Sequence, residues 1–126
     1  MIMSARPHVL VIDPDVTHQQ IVSQYLSPRY HIIVTATLGE ALALLKVYKP
    51  IVVLMELDQV KGDSLAWISH VRSDPSNQKL VIACVTHRRE VKDKVQGFHA
   101  GADDFIVKPL NPVTFLARIS LLTRIR

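Results

Sequence analysis

The sequence predicts an α/β fold with five parallel strands in one doubly wound sheet of the (βα)5 type. Five short apolar runs rich in β-branched residues recur along the 126-residue chain, and the segments between them carry the apolar spacing of helices. Strands that are apolar on both faces are typical of a parallel sheet covered by helices. Because parallel crossovers are right-handed, this alternation favours an open sheet with the flavodoxin-like strand order 2-1-3-4-5.

The predicted strands are bounded by polar or turn residues, and each is followed by a helical pattern. The strands are HVLVID (residues 8–13), HIIVTA (31–36), IVVLME (51–56), LVIACV (80–85) and FIVK (105–108). The helices are marked in turn by Ile21, Val22, Tyr25 and Leu26; by Leu38, Ala41, Leu42 and Leu45; by Leu65, Ile68 and Val71; by Val91, Val95 and Phe98; and by Phe115, Leu116, Ile119 and Leu122.

Polar residues mark several helix ends. Thr37, with Glu40 three residues later, matches a capping box at the start of the second helix. Asn111 followed by Pro112 is typical of the start of a helix, here the fifth. The fourth helix is expected to end near Gly101.

The composition indicates one globular domain over residues 1–126, with 48% hydrophobic and 21% charged residues. No apolar run approaches the roughly 20 residues of a membrane-spanning helix, and the first residues lack a secretion signal, so we expect a cytoplasmic protein without membrane contact. The single cysteine, Cys84, lies between apolar residues and is interpreted as a small buried hydrophobic residue. The net charge is +4, but the basic residues are scattered, apart from the mixed segment HRREVKDK at 87–94. This distribution favours a solvated face or a protein-docking surface over nucleic acid.

Reactive side chains follow the predicted strands at their carboxyl ends. They are Asp13, Glu56 and Asp58, Thr86, and Lys108. The carboxyl ends of parallel strands meet at one edge of a sheet, where ligands bind. The sequence therefore predicts a shared pocket in which carboxylates face a lysine and a hydroxyl, suited to a phosphoryl group or a divalent cation.

Several motifs give the chain a family resemblance along its whole length. GADDFIVKPL (residues 101–110), VLVIDPD (9–15), KPIVVLMELD (49–58) and VIACVTH (81–87) resemble the receiver domain of two-component response regulators. The resemblance implies that a histidine kinase phosphorylates an aspartate after the third strand, that an acidic pair after the first strand binds magnesium, and that a threonine and a lysine bind the phosphoryl oxygens. Thr86 and Lys108 match the last two positions, and Phe105 matches the aromatic switch position.

Two positions depart from the family pattern. The position of the phosphoacceptor aspartate is matched by Glu56, and the second acid of the magnesium pair is matched by Pro14. Glutamate carries its carboxylate one methylene further from the backbone, and proline offers no side-chain oxygen to a metal. Asp15 lies one residue too late in the chain and is expected to cap the first helix.

These departures lead to the hypothesis of a pseudo-receiver domain that signals by protein contact and is not an enzyme. We expect ordinary aspartyl phosphorylation to be lost and no cofactor to be needed, with magnesium binding weak or absent; Asp13 and Asp58 are the remaining candidate ligands. Glu56 is expected to pair with Lys108. The alternative is a functional phosphoacceptor that uses Asp58 or Glu56.

A second alternative is a small phosphohydrolase, because DPDVT (residues 13–17) fits the D-x-D-x-T signature of aspartate-based phosphatases. Those enzymes place their lysine before a late acidic pair, whereas Asp103 and Asp104 precede Lys108 here, which disfavours this reading. The two aspartates are interpreted as the solvated start of the fifth strand.

The resemblance also implies partners. A histidine kinase, an output domain or another regulator is expected to dock on the face formed by the fourth helix, fifth strand and fifth helix, where homodimers also form. The basic residues Arg88, Arg89 and Lys92 favour a partner with an acidic patch. Nucleic acid is expected only through a separate output domain. The six histidines show no close metal-ligand spacing and are interpreted as residues at surface or edge positions.

Overall fold

A computed structural model describes residues 6–124 and contains five strands and five helices in strict alternation. The strands are β1 (His8–Ile12), β2 (His31–Thr35), β3 (Val52–Glu56), β4 (Val81–Thr86) and β5 (Asp104–Val107). The helices are α1 (Val16–Leu26), α2 (Leu38–Tyr48), α3 (Ser64–Ser73), α4 (Val91–Ala100) and α5 (Pro112–Arg124), with a 3₁₀ turn at Pro75–Asn77. Residues 1–5 and 125–126 of the predicted domain lie outside the described residues.

The strands form one parallel sheet in the order β2-β1-β3-β4-β5, which confirms the predicted topology. Val52 of β3 pairs with Val9 of β1 on one side and with Val81 of β4 on the other. This register brings the carboxyl ends of the three central strands to the same edge of the sheet.

Two hydrophobic clusters cover the two faces of the sheet. In β3, Val53 and Met55 belong to one cluster, while Val52 and Leu54 belong to the other. All five residues of β3 are buried, which explains why this strand reads as a continuous apolar run rather than an alternating one.

Helix caps fix where most helices begin. Asp15 accepts hydrogen bonds from the N–H groups of Thr17 and His18, so it caps α1 as predicted. Asn111 accepts in the same way at the start of α5. Thr37 Oγ accepts from the Glu40 N–H at 3.2 Å and caps α2, while the Thr37 N–H donates to Thr35 Oγ at 3.3 Å.

Helix α4 differs from the other helices in the direction of its apolar residues. Val91, Val95 and Phe98, which mark the helix in the sequence, are 75%, 59% and 47% exposed. Its one buried residue is Gly97, where an added Cβ would lie 3.1 Å from the ring of Phe105. The helix therefore packs on β5 through a glycine and turns its apolar side chains to solvent.

Cys84 lies on β4 and is fully buried. Burial raises the pKa of its thiol to about 12, and the nearby charge of Asp104 acts in the same direction. The interpretation of Cys84 as a small buried hydrophobic residue is confirmed, and the raised pKa disfavours the reactive thiolate form. Among residues 6–124, no helix combines the length and apolarity needed to cross a membrane.

Candidate functional site

The predicted pocket forms at the carboxyl edge of the sheet. Asp13 follows β1, Glu56 ends β3, Thr86 ends β4 and Lys108 follows β5. All four side chains are buried, with exposures of 2%, 2%, 0% and 6%. Polar side chains this deeply buried require partners, and among residues 6–124 every fully buried side-chain nitrogen and oxygen atom has one.

Lys108 lies between two acids of the pocket. Its Nζ is 3.9 Å from Glu56 Oε2 and 4.0 Å from Asp13 Oδ2. Both distances exceed hydrogen-bond length, so the contacts are ion pairs. The Lys108 backbone N–H donates to the Thr86 carbonyl at 2.8 Å, which fixes the lysine beside the end of β4. The peptide bond between Lys108 and Pro109 is cis.

Asp13 is held by residues at the start of α1. Its Oδ2 lies 2.7 Å from His18 Nδ1, and its Oδ1 accepts from the Asp15 N–H at 2.9 Å. Gln19 Nε2 donates to the Asp13 carbonyl at 2.5 Å. His18 is 13% exposed and lies at the carboxyl edge of the sheet, where α1 begins above the end of β1 and turns the imidazole onto Asp13.

The carboxylate of Glu56 folds back onto its own loop. Oε1 accepts from the N–H groups of Gln59 at 2.6 Å and Val60 at 3.3 Å, and Oε2 accepts from Gln59 at 3.1 Å. The extra methylene of glutamate makes this reach possible. Glu56 thus stabilises the start of the loop after β3 and also faces Lys108.

Asp58 reaches in the opposite direction, to the end of β4. Its oxygens accept from Thr86 Oγ at 2.8 Å and from the His87 N–H at 2.9 Å, and Arg88 Nε lies 3.4 Å away. Burial raises the pKa of Asp58, but the hydrogen bonds from His87 and Thr86 and the charges of Lys108 and Arg88 together lower it by more. The pKa of Asp58 therefore lies below its ordinary value, and the carboxylate is ionised at neutral pH.

A family model for the response regulator receiver domain matches residues 9–120. The chain belongs to this family. The transcriptional regulator RpaA of Synechocystis is 30% identical over 121 residues, which cover 94% of this chain and 49% of that protein. The response regulator PleD of Caulobacter vibrioides is 29% identical over 125 residues, which cover 98% of this chain and 27% of that protein. The receiver domain thus spans about half, or less, of these relatives.

Solved structures have the same fold as this receiver domain. The chemotaxis protein CheY4 of Vibrio cholerae matches with a TM-score of 0.86 and 25% identity, covering 94% of this chain and 99% of that one. The BeF3-activated receiver domain of DrrB matches with a TM-score of 0.85 and 21% identity, covering 95% and 99%. At 21% identity, the DrrB structure is evidence for the fold alone.

Phe105, at the aromatic switch position implied by the resemblance, points into the receiver domain. Its side chain is 5% exposed and belongs to the same hydrophobic cluster as Cys84. Gly97 of α4 lies against its ring, so any outward rotation of Phe105 has to alter the packing of β5 beneath α4.

The basic segment at 87–94 is not a free cationic surface throughout. Besides its contact with Asp58, Arg88 donates to the Leu57 carbonyl at 3.0 Å, and Arg89 donates to the Lys108 carbonyl at 3.2 Å. Both arginines therefore lie against the rim of the pocket. Lys92 and Lys94 of α4 are exposed, and Lys92 Nζ lies 3.4 Å from Glu90 Oε2 in a surface ion pair.

The oxygen atoms that a magnesium ion would use have other partners. Both Asp13 oxygens and both Glu56 oxygens are engaged as described, and Pro14 contributes no side-chain oxygen. Among residues 6–124, no three His, Cys, Asp or Glu side chains are grouped so as to hold a metal ion. Magnesium prefers six oxygen ligands, and in this structure the side-chain oxygens of Asp13 and Glu56 accept hydrogen bonds or contact His18 instead.

The interpretation of Asp103 and Asp104 as solvated residues is wrong. Asp103 accepts from Arg72 at 2.8 Å and from the Ile82 N–H at 2.9 Å, while Asp104 pairs with Arg118 at 2.7 Å. Arginines on helices at the two sides of β5 account for the difference, and sequence spacing does not reveal such long-range pairs.

Proposed function

We propose that this protein is a pseudo-receiver domain that signals by protein contact without ordinary aspartyl phosphorylation. The observation that carries the proposal is the orientation of Glu56. Its carboxylate stands at the phosphoacceptor position implied by the resemblance, yet both oxygens accept N–H groups of their own loop. A nucleophilic carboxylate needs an oxygen aimed at the phosphorus atom, whereas the bonds to Gln59 and Val60 hold the Glu56 oxygens towards the loop after β3.

We infer further that magnesium binding is weak or absent. The pair after β1 lacks one acid because Pro14 replaces it, and Asp15 is used to cap α1. The remaining acid, Asp13, is 2.7 Å from His18. Magnesium would have to break that contact and still find most of its six oxygen ligands in water.

A pair of titrations tests this proposal. Magnesium and then beryllofluoride are added to the wild type and to a Pro14→Asp, Glu56→Asp double variant, and binding is followed by calorimetry. We expect saturable binding to the double variant alone, because it regains the second acid and an acceptor of the proper length. Tight binding of both ligands to the wild type would overturn the proposal.

Two alternative functions can be distinguished by measuring the mass of the intact protein and the release of phosphate. Asp58 contacts Thr86, which is a phosphoryl-contact position of the family, so phosphorylation of Asp58 or Glu56 is the second candidate function. Incubation with an acyl phosphate donor and magnesium, followed by intact-mass measurement, detects an adduct, and Asp58→Asn and Glu56→Gln assign it. Release of phosphate from the donor in repeated turnovers would instead indicate the phosphohydrolase, which we do not expect.

We propose that partners dock on the face formed by α4, β5 and α5. Response regulators work with histidine kinases and output domains, and a second copy of the chain is a further possible occupant. Val91, Val95 and Phe98 supply an exposed apolar stripe on α4, and Lys92 and Lys94 flank it. Such a combination suits a protein partner with an acidic patch. Nucleic acid would be reached through a separate output domain.

A further inference from the structure

The carboxylate of Asp58 is bound by three consecutive residues, the last residue of β4 and the two that follow it. Thr86 offers its hydroxyl at 2.8 Å, His87 its backbone N–H at 2.9 Å, and Arg88 its guanidinium at 3.4 Å. A hydroxyl, a backbone N–H and a cation that converge on one point form an oxyanion site. Here the oxyanion is a side chain of the protein itself.

The donors of this site are themselves fixed. Thr86 is fully buried, and its Oγ accepts from the Arg88 N–H at 3.0 Å. Since that lone pair is occupied, the hydroxyl proton is directed at Asp58. The Arg88 guanidinium also donates to the Leu57 carbonyl at 3.0 Å, beside Asp58 in the chain. Linked hydrogen bonds of this kind strengthen one another, so the loops after β3 and β4 are joined at Asp58.

The start of α4 depends on this junction. Glu90 occupies the N-cap position of α4 but its side chain makes no capping hydrogen bond, unlike Asp15, Thr37 and Asp63 at the starts of α1, α2 and α3. Residues 87–90 are instead attached to the protein by the bonds of His87 and Arg88 to the loop after β3, and by Arg89. The position of α4 is therefore linked to the charge of Asp58.

We propose that Asp58 is an intramolecular ligand of this oxyanion site, which holds residues 87–90 and the start of α4 in one position and excludes external phosphoryl-like anions. The inference deepens the proposed function and rests on it, since Thr86 is bound by Asp58 of the protein itself where a phosphoryl oxygen would otherwise bind. Asp58 supplies one negative charge and two oxygens, where a phosphoryl group supplies about −2 and three.

Chemical rescue tests the proposal. In Asp58→Ala, hydrogen exchange at the His87 amide should become about tenfold faster or more, because a hydrogen bond to a charged acceptor is lost. Added formate fits the space of the missing carboxylate and should restore protection in a saturable manner, while chloride at equal ionic strength should not. Asp58→Asn, which fills the space without a charge, should show partial protection and no response to formate.

A matched control is available in the same loop. Asp63 caps α3 by accepting from the Ala66 N–H at 2.9 Å, so Asp63→Ala should speed exchange at Ala66 and leave His87 unchanged. Equal exchange at His87 in the wild type and Asp58→Ala, or equal effects of formate and chloride, would overturn the inference. Magnesium and beryllofluoride are absent from this experiment, so its failure and that of the proposed function are distinguishable.

Discussion

Glu56 and Asp58 stand two residues apart, and the lengths of their side chains send their carboxylates to different partners. Glu56 is long enough to return to the N–H groups of Gln59 and Val60, whereas Asp58 reaches across to Thr86 and His87. Both acids accept hydrogen bonds from backbone N–H groups in irregular loops. These N–H groups have no partner in a helix or strand, so a side chain supplies one. The pocket is thus stabilised from within by the groups that a ligand would otherwise use.

The lowered pKa of Asp58 gives a prediction for stability in acid. A carboxyl group whose pKa is lower in the folded than in the unfolded protein, where it is about 3.9, stabilises the fold above that value and ceases to do so as the pH falls through the folded pKa. The free energy of unfolding of the wild type should therefore exceed that of Asp58→Asn by a constant amount between about pH 5 and 7, and by less below about pH 4.

Urea unfolding at a series of pH values measures this difference. The contacts that lower the pKa, from His87, Thr86, Lys108 and Arg88, all act on Asp58, so the difference between the two proteins reports on this carboxylate. Asp63→Asn serves as a control for the general effect of removing one acid. A difference between wild type and Asp58→Asn that grows towards low pH would contradict the assignment.

At the residue scale, sequence reasoning locates the pocket but not its internal contacts. Asp13, Glu56, Thr86 and Lys108 come together because each follows a parallel strand, and strand ends are readable from apolar runs. The role of His18 is not readable in this way. Several donors lie within reach of each carboxylate, and the side-chain conformations that select among them depend on packing across elements.

Among the helices, α3 contacts the end of α4 at Gly101. Gly101 ends α4 with a φ of 123°, and an added Cβ would lie 3.0 Å from Cγ of Arg72. Arg72 Nε also donates to the Gly101 carbonyl at 3.0 Å. Gly101→Ala should lower the free energy of unfolding by about 2 kcal/mol, since a non-glycine residue is strained at this φ and the arginine has to move. Chemical denaturation measures the loss.

Gly39 in α2 is the matched control, because no atom lies within 4 Å of an added Cβ there. Gly39→Ala should raise the free energy of unfolding by about 0.5 kcal/mol, as alanine restricts the unfolded chain and favours the helix. If both substitutions changed the free energy of unfolding in the same direction, the φ of Gly101 and its contact with Arg72 would not control the stability at this position.

The elements themselves are predicted well, and the environment of α4 is not. The five strands lie within one residue of the predicted ends, because burial on both faces leaves a continuous apolar signal. The period of Val91, Val95 and Phe98 gives the helix correctly, but a period does not reveal whether the stripe faces core or solvent. In α4 that depends on Gly97, which brings the opposite side against β5.

Because the pocket of this protein is filled by its own side chains, we expect partners to bind at the surface. The two hydrophobic clusters are covered by helices on both faces of the sheet, and the stripe on α4 is apolar area that the fold leaves exposed. Isolated exposed apolar residues are ordinary, but three on one helix face, flanked by lysines, are typical of an interaction surface.

Self-association through the apolar stripe on α4 can be measured directly. If a second copy of the chain covers the stripe, sedimentation velocity should show a reversible dimer whose fraction rises with concentration, and Val95→Ser with Phe98→Ser should weaken it about tenfold or more. Val95 is 59% and Phe98 47% exposed, so stability should change by no more than about 1 kcal/mol. Val16→Ser with Val47→Ser, at valines 62% and 72% exposed on other helices, should leave association unchanged. A wild type that stays monomeric at high concentration would rule out the homodimer and leave the stripe to a partner of different sequence.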